Sequence, residues 1–482
     1  MDALKNFIGG EWVTSLGSDT VDVTNPATGE VIGKVPVGSK KDVDAAVAAA
    51  KSAFEGWRKT PAAQRARYLF KFRELLDANR QEIAELCTQE HGKTLAESLN
   101  DLGRGIENVE HACGMPALSM APHLEDVAAG IDCTANRQPM GVFAAITPFN
   151  FPPMVPLWFL PYCIGTGNTM VLKTSEQVPN TWIRMMELLA ETGLPAGVVN
   201  LVHGTKEVVE SLCDHQDIEG VSFVGSTEVA QIVYQRASKS GKRVQALGGA
   251  KNHITIMPDA VREPSVQNAT ASVFGCAGQR CLAGSVVVAV GDAYHWVKTG
   301  IVEEAKKIVV GEGMNPETTM GPVISQASKD RITKMIDVGE SEGAELLLDG
   351  RKTTVKGKEG GYWVGPTIFD KVKPGMRIAK EEVFGPVLCI MHAKDLEEAI
   401  EWTNSSQYAN AASIFTQNGA AAREFKYQVD PAMLGVNIGV AAPMAFFPFG
   451  GSKQSFFGNT KAHGQDSVDF YTDRKVVITR YF

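Results

Sequence analysis

Apolar positions along this chain change their period several times, and each change marks a structural element. Val43, Ala46, Val47 and Ala50 recur three and four residues apart, which predicts an amphipathic helix over 39–57 with Ser39 as its N-cap. A helical pattern continues over 62–90. From Gly141 the texture is different: short apolar runs at 142–147, 168–173, 198–202 and 221–224 read as strands, separated by helical stretches at 181–192, 208–213 and 226–239. Strands alternating with helices imply an α/β fold built on a doubly wound parallel sheet. A second strand-and-helix series runs from Asn252 to about Phe449, with helices over 292–310 and 326–342. Two β-rich segments, 131–137 and 475–480, look like sheet extensions with exposed edges, which favours oligomerisation.

The stretch from Gly141 to Gly167 is almost free of charge and long enough to span a bilayer. It also carries Pro148, Pro152, Pro153, Pro156 and Pro161, each of which breaks backbone hydrogen bonding where lipid offers no substitute. A buried strand running into a Pro-rich loop that lines a cavity is the expectation.

With 482 residues the chain exceeds the size of one hydrophobic core, so two or more domains are expected. The net charge of −8, with no Lys/Arg-rich run, argues against nucleic acid or an anionic membrane as the main partner. Eight dispersed cysteines without a Cys-x-x-Cys pair, behind an N-terminus lacking a signal peptide, argue against a disulfide scaffold and against a zinc site. A cytoplasmic location fits, and a removed mitochondrial presequence would leave no trace.

The chemistry concentrates at Phe274-Gly-Cys-Ala-Gly-Gln-Arg-Cys281. A thiol in a Gly/Ala-rich turn is reachable by substrate, and the guanidinium of Arg280 beside it would favour the thiolate, the form that attacks carbonyls. Taken alone, Cys281 reads equally well as a small core residue. Gly225-Ser226-Thr227 sits at a strand-to-helix turn, where helix amides suit a phosphate. No Gly-x-Gly-x-x-Gly follows the first strand, so the ordinary dinucleotide fingerprint is missing.

Five further motifs accompany the octapeptide: Thr147-Pro-Phe149-Asn150-Phe-Pro152, Val171-Leu-Lys173-Thr-Ser-Glu176, Phe223-Val-Gly225-Ser226-Thr-Glu228, Lys380-Glu-Glu382-Val-Phe384-Gly-Pro386 and Pro448-Phe-Gly-Gly-Ser-Lys453. In this order and spacing the chain resembles the aldehyde dehydrogenase superfamily over essentially its whole length. The resemblance implies a variant Rossmann-type NAD-binding domain (1–120 and 142–250), an α/β catalytic domain (251–455), and a β oligomerisation extension (121–141 and 463–482) pairing subunits into a homodimer or homotetramer. It implies Cys281 as nucleophile, and the Asn150 amide with the cysteine backbone N–H as oxyanion donors. It places Lys173 and Glu176 at the adenosine ribose, Ser226 at the pyrophosphate, and Glu382 and Phe384, with Phe149, around the nicotinamide end. A carboxylate at Glu176 would repel a 2′-phosphate, which favours NAD over NADP.

One departure matters. Hydrolytic members carry Glu-Leu-Gly-Gly-Lys where this chain has Gln245-Ala-Leu-Gly-Gly-Ala-Lys251, so the water-activating glutamate falls on Ala246 or Leu247. Neither accepts a proton, and the thioester must leave to another nucleophile, a thiol being the obvious one. The pattern is similar to the CoA-acylating methylmalonate-semialdehyde dehydrogenase branch, which also matches Arg104-Gly-Ile-Glu-Asn-Val-Glu-His-Ala-Cys113, Gly248-Gly-Ala-Lys-Asn-His253 and Phe457-Gly458. That branch places carboxylate-binding arginines at Arg104 and Arg280, whose planar forks suit two oxygens. NAD-dependent oxidation of methylmalonate or malonate semialdehyde to propionyl- or acetyl-CoA with decarboxylation is therefore expected. The alternatives are a hydrolytic enzyme releasing a free acid and a non-catalytic protein retaining the fold.

Overall fold

In the computed structural model, which describes residues 2–482, two large sheets carry most of the chain. The first has eight strands in the order Glu11–Val13, Asn6–Ile8, Val199–Leu201, Thr169–Lys173, Val142–Ile146, Ile218–Val224, Arg243–Leu247 and Phe456–Gly458. Its five central strands are parallel and the outer ones antiparallel. Val142–Ile146 is apolar throughout because both of its faces are covered. Phe143 and Ala145 enter a core with the helices Ala62–Ala78, Leu95–Cys113 and Asn180–Glu191, while Val142, Ala144 and Ile146 enter another with Lys40–Trp57 and Thr227–Lys239.

The chain leaves Val142–Ile146 toward Thr169–Lys173 on one side and later returns to Ile218–Val224 on the other. The crevice at that reversal, outside the carboxyl ends of the strands, is where such sheets bind nucleotides.

The second sheet has seven strands: Glu345–Leu348, Thr367–Asp370, Val387–Ala393, Val286–Val290, His253–Ile256, Ala411–Phe415 and Met433–Val436. All are parallel except Glu345–Leu348. A third sheet of three antiparallel strands joins His123–Ala128, Ile131–Pro139 and Thr472–Arg480, and its side chains are largely exposed. Among the described residues no helix is long and apolar enough to cross a membrane.

Two expectations need correction. The stretch after Val142–Ile146 is not a loop throughout, because Met154–Leu157 and Leu160–Thr166 are short helices. Pro161 lies in the first turn of the second, where a missing N–H costs nothing. The helical pattern over 62–90 is two helices, Ala62–Ala78 and Arg80–His91, divided at Asn79, whose side chain donates back to the Leu75 carbonyl at 2.8 Å.

Candidate active site

Cys281 follows a strained turn. The helix Arg262–Phe274 ends in the 3-10 turn Gly275–Gly278, where Cys276 (φ 51°) and Ala277 (φ 52°) hold left-handed backbone. Gly278 continues it at φ 70°, and a Cβ there would lie 2.0 Å from the Gly385 carbonyl oxygen, so only glycine fits. Glu97 pins the turn by accepting the Cys276 N–H at 2.6 Å and pairing with Arg280 at 3.2 Å. The same carboxylate closes the capping box with Thr94 at the start of Leu95–Cys113, tying that helix to the cysteine turn. Beyond it, Asn252 and Asn410 each donate to the Cys281 carbonyl at 2.8 Å. Asn252 also donates to Ala283 O at 2.9 Å, fixing the backbone on which the thiol is mounted.

Asn150 comes from the carboxyl end of the first sheet. Its Nδ2 donates to the Gln279 carbonyl at 3.1 Å, which brings the amide beside the cysteine turn and uses one of its two N–H groups. Lys93 holds the Asn150 loop from below. Its buried ammonium pairs with Asp101 and donates to the Asn150 carbonyl, each at 2.8 Å, and lies 4.2 Å from the Phe151 ring centroid. Burial is the largest single influence and opposes the charge on Lys93, but Asp101 and the neighbouring Cys276 and Cys87 sulfurs together exceed it and raise the pKa.

A cleft of about 300 Å³ opens over Cys281. Phe151, Met154, Trp158 and Phe449 give it apolar walls, and Arg104 and Arg280 line it too. Arg104 donates to Glu107 at 2.6 Å, to the Pro443 carbonyl, and to Met444 Sδ at 3.2 Å.

The electrostatics at Cys281 differ from the sequence expectation. Burial, followed by the charge of Glu382, pushes its thiol pKa up to about 12. Its own N–H, Arg280 and the Leu282 N–H only partly offset this. The guanidinium of Arg280 is directed at Glu97 and at the Cys276 thiol, not at Cys281. Arg280 is thus a minor influence on the Cys281 sulfur.

The remaining expected residues gather at the crevice of the first sheet. Lys173 and Glu176, at the end of Thr169–Lys173, form a 2.7 Å ion pair. Burial works against the charge on Glu176, but Lys173 outweighs it and the carboxyl pKa falls below its ordinary value. Ser226 caps the helix Thr227–Lys239 without a side-chain cap hydrogen bond, leaving its hydroxyl and the first-turn amides for a ligand. Thr227 Oγ1 accepts the Gly249 N–H at 2.8 Å, and Glu382 accepts the Ala250 N–H at 2.9 Å. A Cβ on Gly249 would come within 2.5 Å of Glu382 Oε2, so the cradle needs that glycine. Burial raises the Glu382 pKa to about 7. Phe384, at φ 53°, meets the Phe149 ring edge-on at 5.9 Å. An ion-paired base, an open helix N-terminus, a glycine cradle and an aromatic pair suit NAD at its ribose, phosphate and ring ends.

Ala246 and Leu247 are buried at the end of Arg243–Leu247, and Leu247 belongs to the apolar cluster against which Cys281 packs. Sequence reasoning missed Lys93, Asp101, Glu97 and Asn410. Only Glu97 left a local signal, the Thr-x-x-Glu capping box.

Residues 12–477 match the model of the aldehyde dehydrogenase family. The chain is 52% identical over 479 residues to malonate-semialdehyde dehydrogenase 2 of Geobacillus thermodenitrificans, covering 99% of each chain. It is 48% identical over 480 residues to malonate-semialdehyde dehydrogenase of Halalkalibacterium halodurans, covering 100% of this chain and 99% of the other. Methylmalonate-semialdehyde dehydrogenase of Oceanimonas doudoroffii superposes with a TM-score of 0.98 at 43% identity, covering 100% and 99%. The NAD+ complex of an aldehyde dehydrogenase from Bacillus cereus gives 0.95 at 33% identity, covering 99% and 97%.

Proposed function

Because the chain belongs to the aldehyde dehydrogenase family, we propose that it oxidises malonate or methylmalonate semialdehyde with NAD and passes the acyl group to CoA. The products are acetyl-CoA or propionyl-CoA and carbon dioxide. One observation carries this reading: Cys281 shares a cleft with Arg104 and Arg280, while apolar Leu247, in the cluster against which Cys281 packs, offers no carboxylate to activate water, and Ala246 packs into the core on the other face of the strand.

In this account the Cys281 thiol gives its proton to solvent water as its sulfur adds to the aldehyde carbon. The second N–H of Asn150 and the backbone N–H of Cys281 meet the oxygen that becomes negative. Arg104 and Arg280 orient the carboxylate end. Lys173, Glu176, Ser226, Glu382, Phe384 and Phe149 would hold NAD, which when bound supplies the hydride acceptor. With the aldehyde hydrogen gone, the acyl group is a thioester on Cys281 that still carries its carboxylate. The C–C bond to that carboxylate breaks to release carbon dioxide, its electron pair passes into the thioester enolate, and the carbon takes up a proton to leave an acetyl or propionyl thioester. The CoA thiol then forms a new C–S bond as the bond to Cys281 breaks, and the freed sulfur recovers a proton.

The division into an NAD-binding unit, a catalytic unit and an oligomerising β extension is part of this reading. The exposed three-stranded sheet, with Val476, Val477 and Ile478 bare on Thr472–Arg480, would pair copies of the chain into a dimer or tetramer.

A second reading, hydrolysis to a free acid, has one observation in its favour. Glu382, with a pKa raised to about 7, is the carboxylate with the largest influence on Cys281. Glu97 is no rival for that role, being tied to Cys276 and Arg280. Product analysis separates the two. Malonate semialdehyde with NAD and CoA should give acetyl-CoA by mass spectrometry, whereas free acid formed equally fast without CoA would establish hydrolysis.

A further inference from the structure

We propose that His463 is a specificity residue whose imidazole donates a hydrogen bond to the carboxylate end of the substrate, beside Arg104. This deepens the semialdehyde reading above and rests on it.

His463 lines the cleft that holds Cys281, Arg104 and Arg280. Its ring is packed between two aromatic walls of that cleft, with centroids 4.9 Å from Trp158, edge-on, and 5.3 Å from Phe449. The residue is only 3% exposed, yet neither Nδ1 nor Nε2 has a hydrogen-bond partner among the described residues. Buried polar atoms are ordinarily paired, so an imidazole with both nitrogens unpaired at a ligand cleft points to a ligand.

The backbone reinforces this placement. His463 adopts φ 70° and ψ 169° just before the helix Gly464–Phe470, a region almost reserved for glycine. The conformation is held from both sides: Gly464 N–H donates to the Ala445 carbonyl at 3.0 Å, and the His463 carbonyl accepts from Ser467 at 3.1 Å. A strained residue retained with its ring in the cleft is better explained by what the ring does than by the fold.

The ligand's chemistry follows from the neighbours. Burial first, then the charges of Arg104 and His111, hold the ring pKa down to about 3. The imidazole is therefore neutral and carries one N–H, whichever nitrogen bears it. Arg104 already has Glu107 and Pro443 as acceptors but keeps further N–H groups for a ligand. Since Phe151, Met154, Trp158 and Phe449 are apolar or nearly so, the arginines and this imidazole mark where a charged end would sit. A short acid with its aldehyde at Cys281 and its carboxylate beside Arg104 and His463 gives the imidazole the partner it lacks.

The test compares malonate semialdehyde with propanal, which has no carboxylate. His463→Phe keeps a ring against Trp158 and Phe449 but removes the donor. It should lower kcat/KM for malonate semialdehyde roughly ten- to hundredfold, mainly through KM, and leave propanal nearly unchanged. His463→Gly suits the backbone and should show the same split if the Phe variant folds poorly, and His463→Asn, which keeps a donor, should recover part of the loss. An equal fall on both aldehydes, or no fall on either, would overturn the role. If Arg104→Ala shows the carboxylate-specific loss and His463→Phe does not, only the imidazole is misassigned. If the wild type fails to prefer the acid over propanal, the semialdehyde reading itself falls and this inference with it.

Discussion

At the scale of single residues the account turns on Cys281. Cys281→Ser should abolish NADH formation while NAD still binds, because a serine hydroxyl is rarely ionised at neutral pH and is a far weaker nucleophile than a thiolate. Cys276→Ser should keep most activity, and substantial turnover by the Cys281 variant would contradict the assignment. The free enzyme should also show an unreactive thiol. Burial disfavours the charged form and lifts the pKa to about 12, so the thiolate fraction keeps growing throughout the neutral range. Iodoacetamide should modify Cys281 about tenfold faster for each pH unit between about 7 and 9, and a plateau by about pH 8 would contradict the raised pKa. Arg104→Ala removes a charge-assisted bond worth about 1.5–3 kcal/mol and should cost one to two decades of kcat/KM with a semialdehyde acid but not with propanal. Glu176→Gln should narrow the preference for NAD over NADP, as removing the carboxylate removes its repulsion of a 2′-phosphate.

At the scale of elements, the buried Lys93–Asp101 pair joins the helix Leu95–Cys113 to the Asn150 loop. Breaking it from one side leaves a charge stranded in the core. Asp101→Leu should cost about 3–5 kcal/mol in denaturant unfolding and lower kcat through a loosened Asn150. Combining it with Lys93→Met should restore much of the stability but not kcat, and an unchanged unfolding midpoint in the single variant would contradict this. Local pattern made some elements legible. The three-and-four spacing gave Lys40–Trp57 and the apolar run gave Val142–Ile146, since a 3.6-residue period and a strand buried on both faces are each written in the local sequence. The helices Met154–Leu157 and Leu160–Thr166 were hidden by their prolines, which end a helix from inside but are tolerated in its first turn. Lys93, Asp101 and His463 were hidden for a different reason. A lone charge or imidazole normally marks the surface, and only the tertiary packing of distant segments reverses that expectation.

At the scale of the molecule, motifs scattered over the chain converge because each lies where a strand or turn of one sheet faces the other sheet. Phe149, Lys173, Ser226 and Gly249 come from the carboxyl edge of the first sheet, and Cys281, Glu382 and Phe384 come from segments between strands of the second. The order of the motifs was legible. The direction of Arg280 was not, because adjacency in sequence says nothing of where a long side chain finds its partner, here Glu97. The exposed strand Thr472–Arg480 makes a separate prediction: Val476→Lys with Ile478→Lys should lower the mass measured by light scattering, and an unchanged mass would remove that strand from the interface. The central claim is that the thioester on Cys281 waits for CoA because no residue at Ala246 or Leu247 can activate water. Stopped-flow absorbance of NADH formation with malonate semialdehyde tests it most directly. Without CoA the account predicts a burst equal to the concentration of active sites followed by little turnover, and steady turnover on adding CoA; an equal steady rate without CoA would contradict it.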